Sequence, residues 1–224
     1  PTALEPLALG GPAAMVVTNG AQSFALLADG RVRAFGLNDA YELGLPHAQT
    51  VGDDETPAGA SVPTVVPLGG LAEQLAVGRG FACARLEDAR VQCWGRGDAG
   101  QLGRGLQSGP QRPMDVILGG SAVEIALGAT HACARLESGA VRCWGDGSDG
   151  RLGYGRAIDD GATPVRSGDV PLGGAATQLV AGEAHTCARL ESGAVRCWGR
   201  GVDGRLGYGR VATIGDDEPP SSAG

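Results

Sequence analysis

The sequence predicts an all-β fold, a β-propeller, and three observations carry this prediction. Leu-Gly-Gly recurs at Leu9, Leu68, Leu118 and Leu172, at intervals of 50 to 59 residues. Each copy is followed by short apolar runs separated by turn residues, without the periodicity of a helix. Glycine fills 40 of 224 positions, more than twice its usual share of about 7%. Short strands and tight turns repeated in this way are typical of propeller blades.

The repeats divide the chain into four units within one domain. We interpret residues 1–224 as a single propeller domain with repeats at approximately 9–67, 68–117, 118–171 and 172–224. Pro1 lies within the repeat pattern, without an initiator methionine or a signal peptide, so we expect a processed chain or a piece of a longer one.

Each repeat ends in a short Val/Pro segment. These segments contain Pro63, Pro113 and Pro164 in the first three repeats. Because proline cannot donate a hydrogen bond to a sheet, we place the segments as outer edge strands.

A hairpin with two cysteines stands in the middle of the last three repeats. CARLESGAVRCWG occurs at 133–145 and again, unchanged, at 187–199, and the variant CARLEDARVQCWG occupies 83–95. The two strand-like halves and the central Ser-Gly indicate a β-hairpin.

The register of this hairpin places the cysteines opposite each other. If Cys133 faces Cys143, residues 137–139 form a three-residue loop that Gly139 closes with a positive φ. The cysteines then form a non-hydrogen-bonded pair with Cα atoms about 4.5 Å apart, at the close end of disulfide reach. Ala89 replaces the loop glycine in the second repeat, so we expect that turn to be strained or differently shaped.

The six cysteines are therefore predicted to form three hairpin disulfides. The pairs are Cys83–Cys93, Cys133–Cys143 and Cys187–Cys197. The alternative is that the cysteines are reduced thiols in the core. A zinc site would require close pairs such as C-x-x-C, which the sequence lacks. Disulfides imply an oxidising compartment, so we expect an exported protein, extracellular or in the cell envelope.

The pattern G-x-x-H-[AT]-C-A-R-L-x-S-G-A-V-R-C-W-G, followed by G-x-x-G-x-L-G, resembles the repeats of the regulator of chromosome condensation family. It is closest to the Cys-paired versions in exported bacterial proteins. The first repeat is degenerate, since Phe24 and Ala34 replace the cysteines and Phe35 replaces the tryptophan. The resemblance implies a β-propeller, usually of seven blades, of which four repeats are present here. It also implies partner binding in varied roles, which in the family include nucleotide exchange on a small GTPase and inhibition of β-lactamases.

Three Gly-x-Gly-x-x-Gly segments match the fingerprint of dinucleotide-binding loops. They begin at Gly95, Gly145 and Gly199. A cofactor loop must open a helix, and no helical run follows these segments. We interpret them as connection turns and expect no cofactor.

The histidines and tryptophans have structural interpretations. His131 and His185 precede a cysteine by two residues at matching places, and His47 lies in a loop; no nucleophile or carboxylate is fixed beside them. We expect the matching pair to be structural residues at strand starts. Trp94, Trp144 and Trp198 are predicted to pack between blades, with the indole N–H bound to a partner.

Acidic loops are the features that differ between repeats, and they are the candidate partner-binding residues. In a propeller such insertions project from one face. A second interpretation of these loops is a calcium site, because adjacent carboxylates are hard oxygen ligands, although their spacing matches no calcium loop. A third is a solvated turn, in which Asp and Gly are favoured. The residues are Asp53, Asp54, Glu55, Asp159, Asp160, Asp216, Asp217 and Glu218.

Charge and motifs exclude several classes of function. The net charge of −7 disfavours nucleic acid as a partner, and no stretch approaches the length of a membrane span. No catalytic or metal-ligating constellation is present, so we do not expect an enzyme. We predict an exported protein–protein interaction module that uses loops on one face. The alternatives are a structural subunit that assembles through open blade edges into a ring or filament, and an enzyme with a site in the propeller channel.

Overall fold

Four antiparallel sheets form the blades of a partial β-propeller in the computed structural model, which describes residues 5–105, 111–156 and 163–223. The predicted all-β propeller with four blades is confirmed. In each blade the chain forms successive strands that pair with their sequence neighbours. The first strands of neighbouring blades contact one another and lie around the central channel.

The strands have the following bounds. Blade 1 contains β1 (Ala13–Asn19), β2 (Gln22–Leu27) and β3 (Val32–Gly36), and blade 2 contains β4 (Ala72–Gly78), β5 (Phe81–Leu86), β6 (Val91–Gly95) and β7 (Gln111–Asp115). Blade 3 contains β8 (Ala122–Leu127), β9 (His131–Leu136) and β10 (Val141–Gly145), and blade 4 contains β11 (Ala176–Ala181), β12 (His185–Leu190) and β13 (Val195–Gly199).

Each blade has two apolar faces, because side chains alternate across a strand. In β5, for example, Ala82 and Ala84 face blade 1, whereas Phe81 and Cys83 face blade 3. We call the side of a blade that faces the preceding blade its leading face and the other side its trailing face. Three core clusters fill the seams between consecutive blades.

The hairpins have the predicted register. Cys133 lies opposite Cys143, and Gly139 closes the loop with φ of 81°. Ala89 adopts the same conformation, with φ of 65°, and its N–H donates to the Leu86 carbonyl at 3.0 Å. The second hairpin is therefore strained and not reshaped, because a residue with a Cβ occupies the left-handed region.

The proline segments follow the prediction in blade 2 and, over a short length, in blade 1. Pro113 lies in β7, the outer edge strand of blade 2. After Pro63, the chain pairs with the outer side of β3 through an antiparallel bridge from Val65 to Arg33, with two flanking backbone hydrogen bonds of 2.9 Å. Pro164 does not lie in a strand: it begins the short helix α1 (Pro164–Ser167), since the fixed φ of proline suits the first turn of a helix.

Backbone hydrogen bonds connect the turns around the channel. The N–H of Arg79 donates to the Ala129 carbonyl, and the N–H of Ala129 donates to the Glu183 carbonyl, both at 2.9 Å. These residues occupy the same place in blades 2, 3 and 4, so each blade is held to the next in one register. Among the described residues, no helix has the length and apolar character needed to cross a membrane.

Candidate functional site

Two acidic loops occupy the same place in blades 1 and 4. Val51 forms a bridge with Gly36 at the end of β3, and Ile214 forms the matching bridge with Gly199 at the end of β13. Each bridge includes a 2.8 Å bond from the glycine N–H to the partner's carbonyl. The acidic residues follow directly, so both loops lie on one face of the propeller. We call this the acidic face.

Within each loop the carboxylates lie close together. The carboxylate oxygens of Asp53, Asp54 and Glu55 lie within 4.8 Å of one another. Both aspartates are exposed and Glu55 is half-buried. A hydrogen bond with Asp54 raises the pKa of Glu55, because protonation removes the repulsion between the two groups. The loop therefore concentrates negative charge on an exposed turn.

The second loop repeats this arrangement. The carboxylate oxygens of Asp216, Asp217 and Glu218 lie within 4.8 Å of one another, as a group separate from the first. Burial, and then a hydrogen bond with Asp217, raises the pKa of Glu218. The third predicted acidic pair, Asp159 and Asp160, lies outside the described residues.

Each cluster offers oxygen ligands only. Calcium and magnesium are the ions that accept such ligands. Both clusters are also turns in which aspartate and glycine are favoured on conformational grounds.

A cavity of about 670 Å³ opens where the turns of the four blades meet. Its charged lining includes Glu42, Arg79, Arg96 and Glu183. Arg79 and Glu183 form an ion pair at 3.6 Å in which both side chains are 72% exposed. Among the described lining residues, no nucleophile stands beside a base.

Disulfides join the cysteines as three hairpin pairs. They link Cys83 to Cys93, Cys133 to Cys143 and Cys187 to Cys197, with Cα–Cα distances of 4.1, 4.0 and 4.0 Å. The first two bridges are fully buried and the third is half-buried. The third bridge joins the two strands of blade 4 that precede its acidic loop, whereas blade 1, which carries the other acidic loop, has no bridge.

The tryptophans fill the seams between blades, as predicted. The indole N–H of Trp144 donates to the Gln101 carbonyl at 2.9 Å, and that of Trp198 donates to the Arg151 carbonyl at 3.1 Å. In both cases the acceptor belongs to the preceding blade. The indole N–H of Trp94 has no partner among the described residues. All three side chains are fully buried, so they belong to the scaffold.

The histidines begin strands, as predicted. His131, the first residue of β9, is fully buried, and its Nε2 lies 2.9 Å from the Thr186 hydroxyl. Burial, together with Arg151, lowers its pKa to about 3, so the ring is neutral. His185 begins β12, and His47 Nε2 lies 2.8 Å from the Pro63 carbonyl.

Sequence reasoning missed a polar clamp between blades 2 and 3. Gln74 Nε2 donates to the Ile125 carbonyl at 3.0 Å, and the Ile125 N–H donates to Gln74 Oε1 at 2.9 Å. In the next seam Glu124 accepts the N–H of Leu179 at 3.1 Å. Gln178 is the matching residue of blade 4. A polar side chain at one fixed place in each of the last three repeats was the signal, whereas the first repeat has Met15 there.

Comparisons with known proteins place the repeats in a family. Regulator of chromosome condensation (RCC1) repeats match residues 72–101, 122–151 and 176–205, and a further match of this type spans 88–135. These matches cover blades 2, 3 and 4, whereas the degenerate first repeat lies outside them. Among curated protein sequences, none is significantly similar to the chain.

Solved structures share the fold. Human WBSCR16 is 24% identical with a TM-score of 0.75, and the match covers 93% of this chain and 52% of that protein. Yeast RCC1 (Prp20) bound to Kap60 is 17% identical with a TM-score of 0.70, covering 97% and 49%. Prp20p from Saccharomyces cerevisiae, described with its binding to Gsp1p and histones, is 18% identical with a TM-score of 0.70, covering 97% and 51%.

The repeats and the sheets define one class of protein, a β-propeller in which blades 2, 3 and 4 each carry a hairpin disulfide. The chain is an RCC1-repeat protein, and it forms a partial propeller of that type. It spans about half the length of the solved structures that it matches.

Proposed function

We propose that this chain is an exported bacterial β-propeller that binds a protein partner through the loops of its acidic face and has no catalytic activity. One observation carries the proposal: two exposed acidic loops occupy the same place in blades 1 and 4, above a scaffold of paired strands. Loops on a rigid scaffold commonly carry binding residues.

The electrostatics of the acidic face favour a basic partner surface. Three carboxylates within 4.8 Å of one another repel each other. The pKa of Glu55 is raised first by its hydrogen bond with Asp54, then by burial and by the charge of Asp54. Approach of Lys or Arg side chains relieves the repulsion, and complementary charge speeds association and selects the partner. We therefore expect binding to weaken as salt concentration rises.

Two further observations support an exported interaction module. Three disulfides suit an oxidising compartment. Propellers of the same fold bind proteins, as the structure of Prp20 bound to Kap60 illustrates. The open channel cavity, with its charged lining, presents no pair of groups suited to acid–base or nucleophilic chemistry among the described residues.

Capture of secreted and envelope proteins tests the acidic face. The immobilised chain is incubated with these fractions of its source organism, and retained proteins are quantified by mass spectrometry. One variant carries Asp53→Asn, Asp54→Asn and Glu55→Gln; a second carries the equivalent changes in the blade 4 loop. We expect each triple variant to retain at least tenfold less of the partner.

A matched control removes the same charge from the opposite face. Glu87, Glu137 and Glu191 are exposed in the loops between the second and third strands of blades 2, 3 and 4. Their triple change to glutamine should leave capture intact. Equal capture of the partner by all variants would show that the acidic loops do not bind it. If no protein is enriched over an empty support, the proposed role as an interaction module is wrong.

Treatment of the source cells with a thiol-alkylating reagent before lysis tests export, because only free thiols react. If the recovered chain has six unalkylated cysteines, its disulfides formed in an oxidising compartment. Alkylation of all six cysteines would contradict export.

A further inference from the structure

The loop that follows β3 differs from the matching loops of the other three blades. It spans residues 36–44, and we call it the blade 1 loop. It begins at Gly36, whose bridge with Val51 also begins the first acidic loop, so it lies on the acidic face. The matching loops also begin at the glycine that ends the third strand of a blade. They are residues 95–103, 145–153 and 199–207.

The matching loops neutralise their own carboxylates. In each of them an arginine forms an ion pair with an aspartate of the same loop. The pairs are Arg96–Asp98 at 2.8 Å, Arg151–Asp149 at 2.9 Å and Arg205–Asp203 at 3.1 Å. A guanidinium group next to a carboxylate is therefore a regular feature of these loops in blades 2, 3 and 4.

The blade 1 loop has lost both places that carry an arginine. Leu37 holds the place of Arg96, and the backbone N–H groups of both residues bond to the turn between the first two strands, at 3.0 and 2.9 Å. Glu42 holds the place that arginine has in blades 3 and 4. Asp39 matches Asp98, is exposed, and has no ion pair among the described residues. The loop thus carries two carboxylates and no cation.

An exposed tyrosine occupies a glycine position of this loop. Tyr41 has a φ of 61°, whereas Gly100, Gly150 and Gly204 have φ values of 74°, 65° and 68°. The Tyr41 N–H donates to the Asn38 carbonyl at 3.1 Å, and the equivalent bond of Gly100 is also 3.1 Å, so the turn is the same. Because a Cβ is unfavourable in this conformation, the turn itself does not require a tyrosine.

The exposure of this loop does not depend on the open outer face of blade 1. Tyr41 is 45% exposed and Leu37 is 40% exposed. The side chain of Arg96, which matches Leu37, is 50% exposed although blade 2 has a blade on each side. At Gly150, which matches Tyr41, a Cβ would lie 2.6 Å from the backbone N of Asp216 in the next blade. The Tyr41 side chain therefore points towards blade 2, which lies inside the described propeller.

Buried residues hold the blade 1 loop in one conformation. Asn38 is fully buried, its Nδ2 donates to the His47 carbonyl at 2.6 Å, and its Oδ1 accepts the N–H of Leu43 at 3.0 Å. Leu43 is fully buried as well. Glu42 Oε2 accepts the N–H of Ala40 at 3.1 Å, and Glu42 lines the channel cavity. The exposed side chains of the loop therefore stand on a preformed backbone, which lowers the entropy cost of binding.

We propose that the blade 1 loop binds an arginine side chain that a protein partner presents. The guanidinium group takes the place that Arg96 holds in blade 2, and it pairs with the carboxylate of Asp39. Its planar face stacks on the ring of Tyr41, and its aliphatic stem packs against Leu37. The proposal rests on the proposed function as an interaction module, and it names the side chain that the partner contributes.

Arginine fits this surface better than lysine does. An exposed ion pair contributes little by itself, so the aromatic ring decides the selectivity. A guanidinium group is planar, so it stacks on a ring while its N–H groups donate to a carboxylate. The ammonium group of lysine is a compact, strongly hydrated charge that lacks this planar face. A preference for arginine over lysine therefore reports on Tyr41, whereas equal binding of both reports on negative charge alone.

Two fluorescent peptides, hexa-arginine and hexa-lysine, test the proposal. Their affinities for the 224-residue chain are measured by fluorescence anisotropy at a series of salt concentrations. We expect wild-type protein to bind hexa-arginine about fivefold more tightly than hexa-lysine. Tyr41→Gly, which copies the other blades, should remove this preference, whereas Tyr41→Phe keeps the ring and should retain it. Asp39→Asn should weaken the binding of hexa-arginine about threefold.

A further variant fills the site from within the chain. Leu37→Arg restores the arginine of the blade 2 loop, and its guanidinium group should pair with Asp39 as Arg96 pairs with Asp98. We expect this variant to lose the preference for hexa-arginine. Ile117→Arg adds the same charge at an exposed position beside the hairpin loop of blade 2, on the opposite face, and should retain the preference.

The acidic loops provide the control for charge alone. The triple variant of residues 53–55 should weaken the binding of both peptides by the same factor and retain the preference for arginine. Asp98→Asn removes a carboxylate that already has an arginine partner, so it should also retain the preference.

The preference for arginine decides between the outcomes. Equal affinity of wild-type protein for the two peptides would overturn the arginine site, and so would a preference that survives Tyr41→Gly or Leu37→Arg. Either result leaves the acidic loops able to bind a partner without the blade 1 loop. A preference that requires Tyr41 and Asp39, found together with no partner capture, would support the arginine site and contradict the proposed interaction module.

Discussion

His131 and Thr186 meet across the seam between blades 3 and 4, with 2.9 Å between the imidazole Nε2 and the hydroxyl oxygen. Both side chains are fully buried. The equivalent pair in the seam between blades 2 and 3 is Phe81 and Ala132. One place in the repeat thus accepts either a polar pair or an apolar pair.

The buried His131 should make stability depend on pH. Burial lowers its pKa to about 3, against 6.5 in the unfolded chain. Between these values the unfolded chain binds more protons, so the free energy of unfolding falls as pH is lowered below 6.5. The loss should reach about 2 kcal/mol at pH 5, measured by denaturant unfolding at a series of pH values.

The apolar pair of the neighbouring seam supplies the control for this titration. His131→Phe combined with Thr186→Ala copies the pair of blades 2 and 3 and removes the titrating group. This variant should lose most of the slope between pH 6.5 and pH 5. An unchanged slope would assign the pH dependence to other groups.

Gly153→Ala should destabilise the fold more than Gly207→Ala. Both glycines have a positive φ, so the backbone strain of about 1–2 kcal/mol is common to both changes. Only at Gly153 does the new Cβ meet Trp198, which adds about 1–3 kcal/mol of overpacking. Thermal unfolding of both variants measures the difference. Equal destabilisation would contradict the close contact between Gly153 and Trp198.

Ala89→Gly should stabilise the protein. Ala89 has a φ of 65° in the hairpin loop, where the other two stapled hairpins have Gly139 and Gly193. Relief of left-handed strain outweighs the added flexibility of glycine in the unfolded chain, for a net gain of about 0.5–1 kcal/mol. Gly193→Ala makes the reverse change where a Cβ meets no atom within 4 Å, and should cost a similar amount. The urea unfolding midpoints of both variants show whether Ala89→Gly raises stability and Gly193→Ala lowers it. A loss of stability in Ala89→Gly would be inconsistent with strain at Ala89.

The Cys187–Cys197 bridge should be reduced first. The two cysteines are half-buried, whereas the cysteines of the other bridges are fully buried and closed to a reductant. Mild phosphine reduction, alkylation and peptide mass spectrometry should label this pair at least tenfold faster than the other two pairs. Equal rates for all three bridges would contradict the exposure difference.

The sequence predicted local features well because repeats and turns are local. Residues 133–145 contain the turn glycine, the alternation of the strands and the cysteine spacing, so the hairpin and its register follow from them. The helix at Pro164 was not predicted, because proline suits both an edge strand and the first turn of a helix. Flanking residues and tertiary contacts decide between the two.

Sequence alone determined that this protein is built from repeated β-hairpin blades, that its cysteines face each other in pairs, and that its acidic residues lie in connecting loops. These features depend on neighbours within about ten residues. Tertiary structure decided which blade surfaces are covered. Residues 133–145 and 187–199 are identical, yet Val141 is buried and Val195 is exposed, because burial depends on the next blade and not on the segment itself.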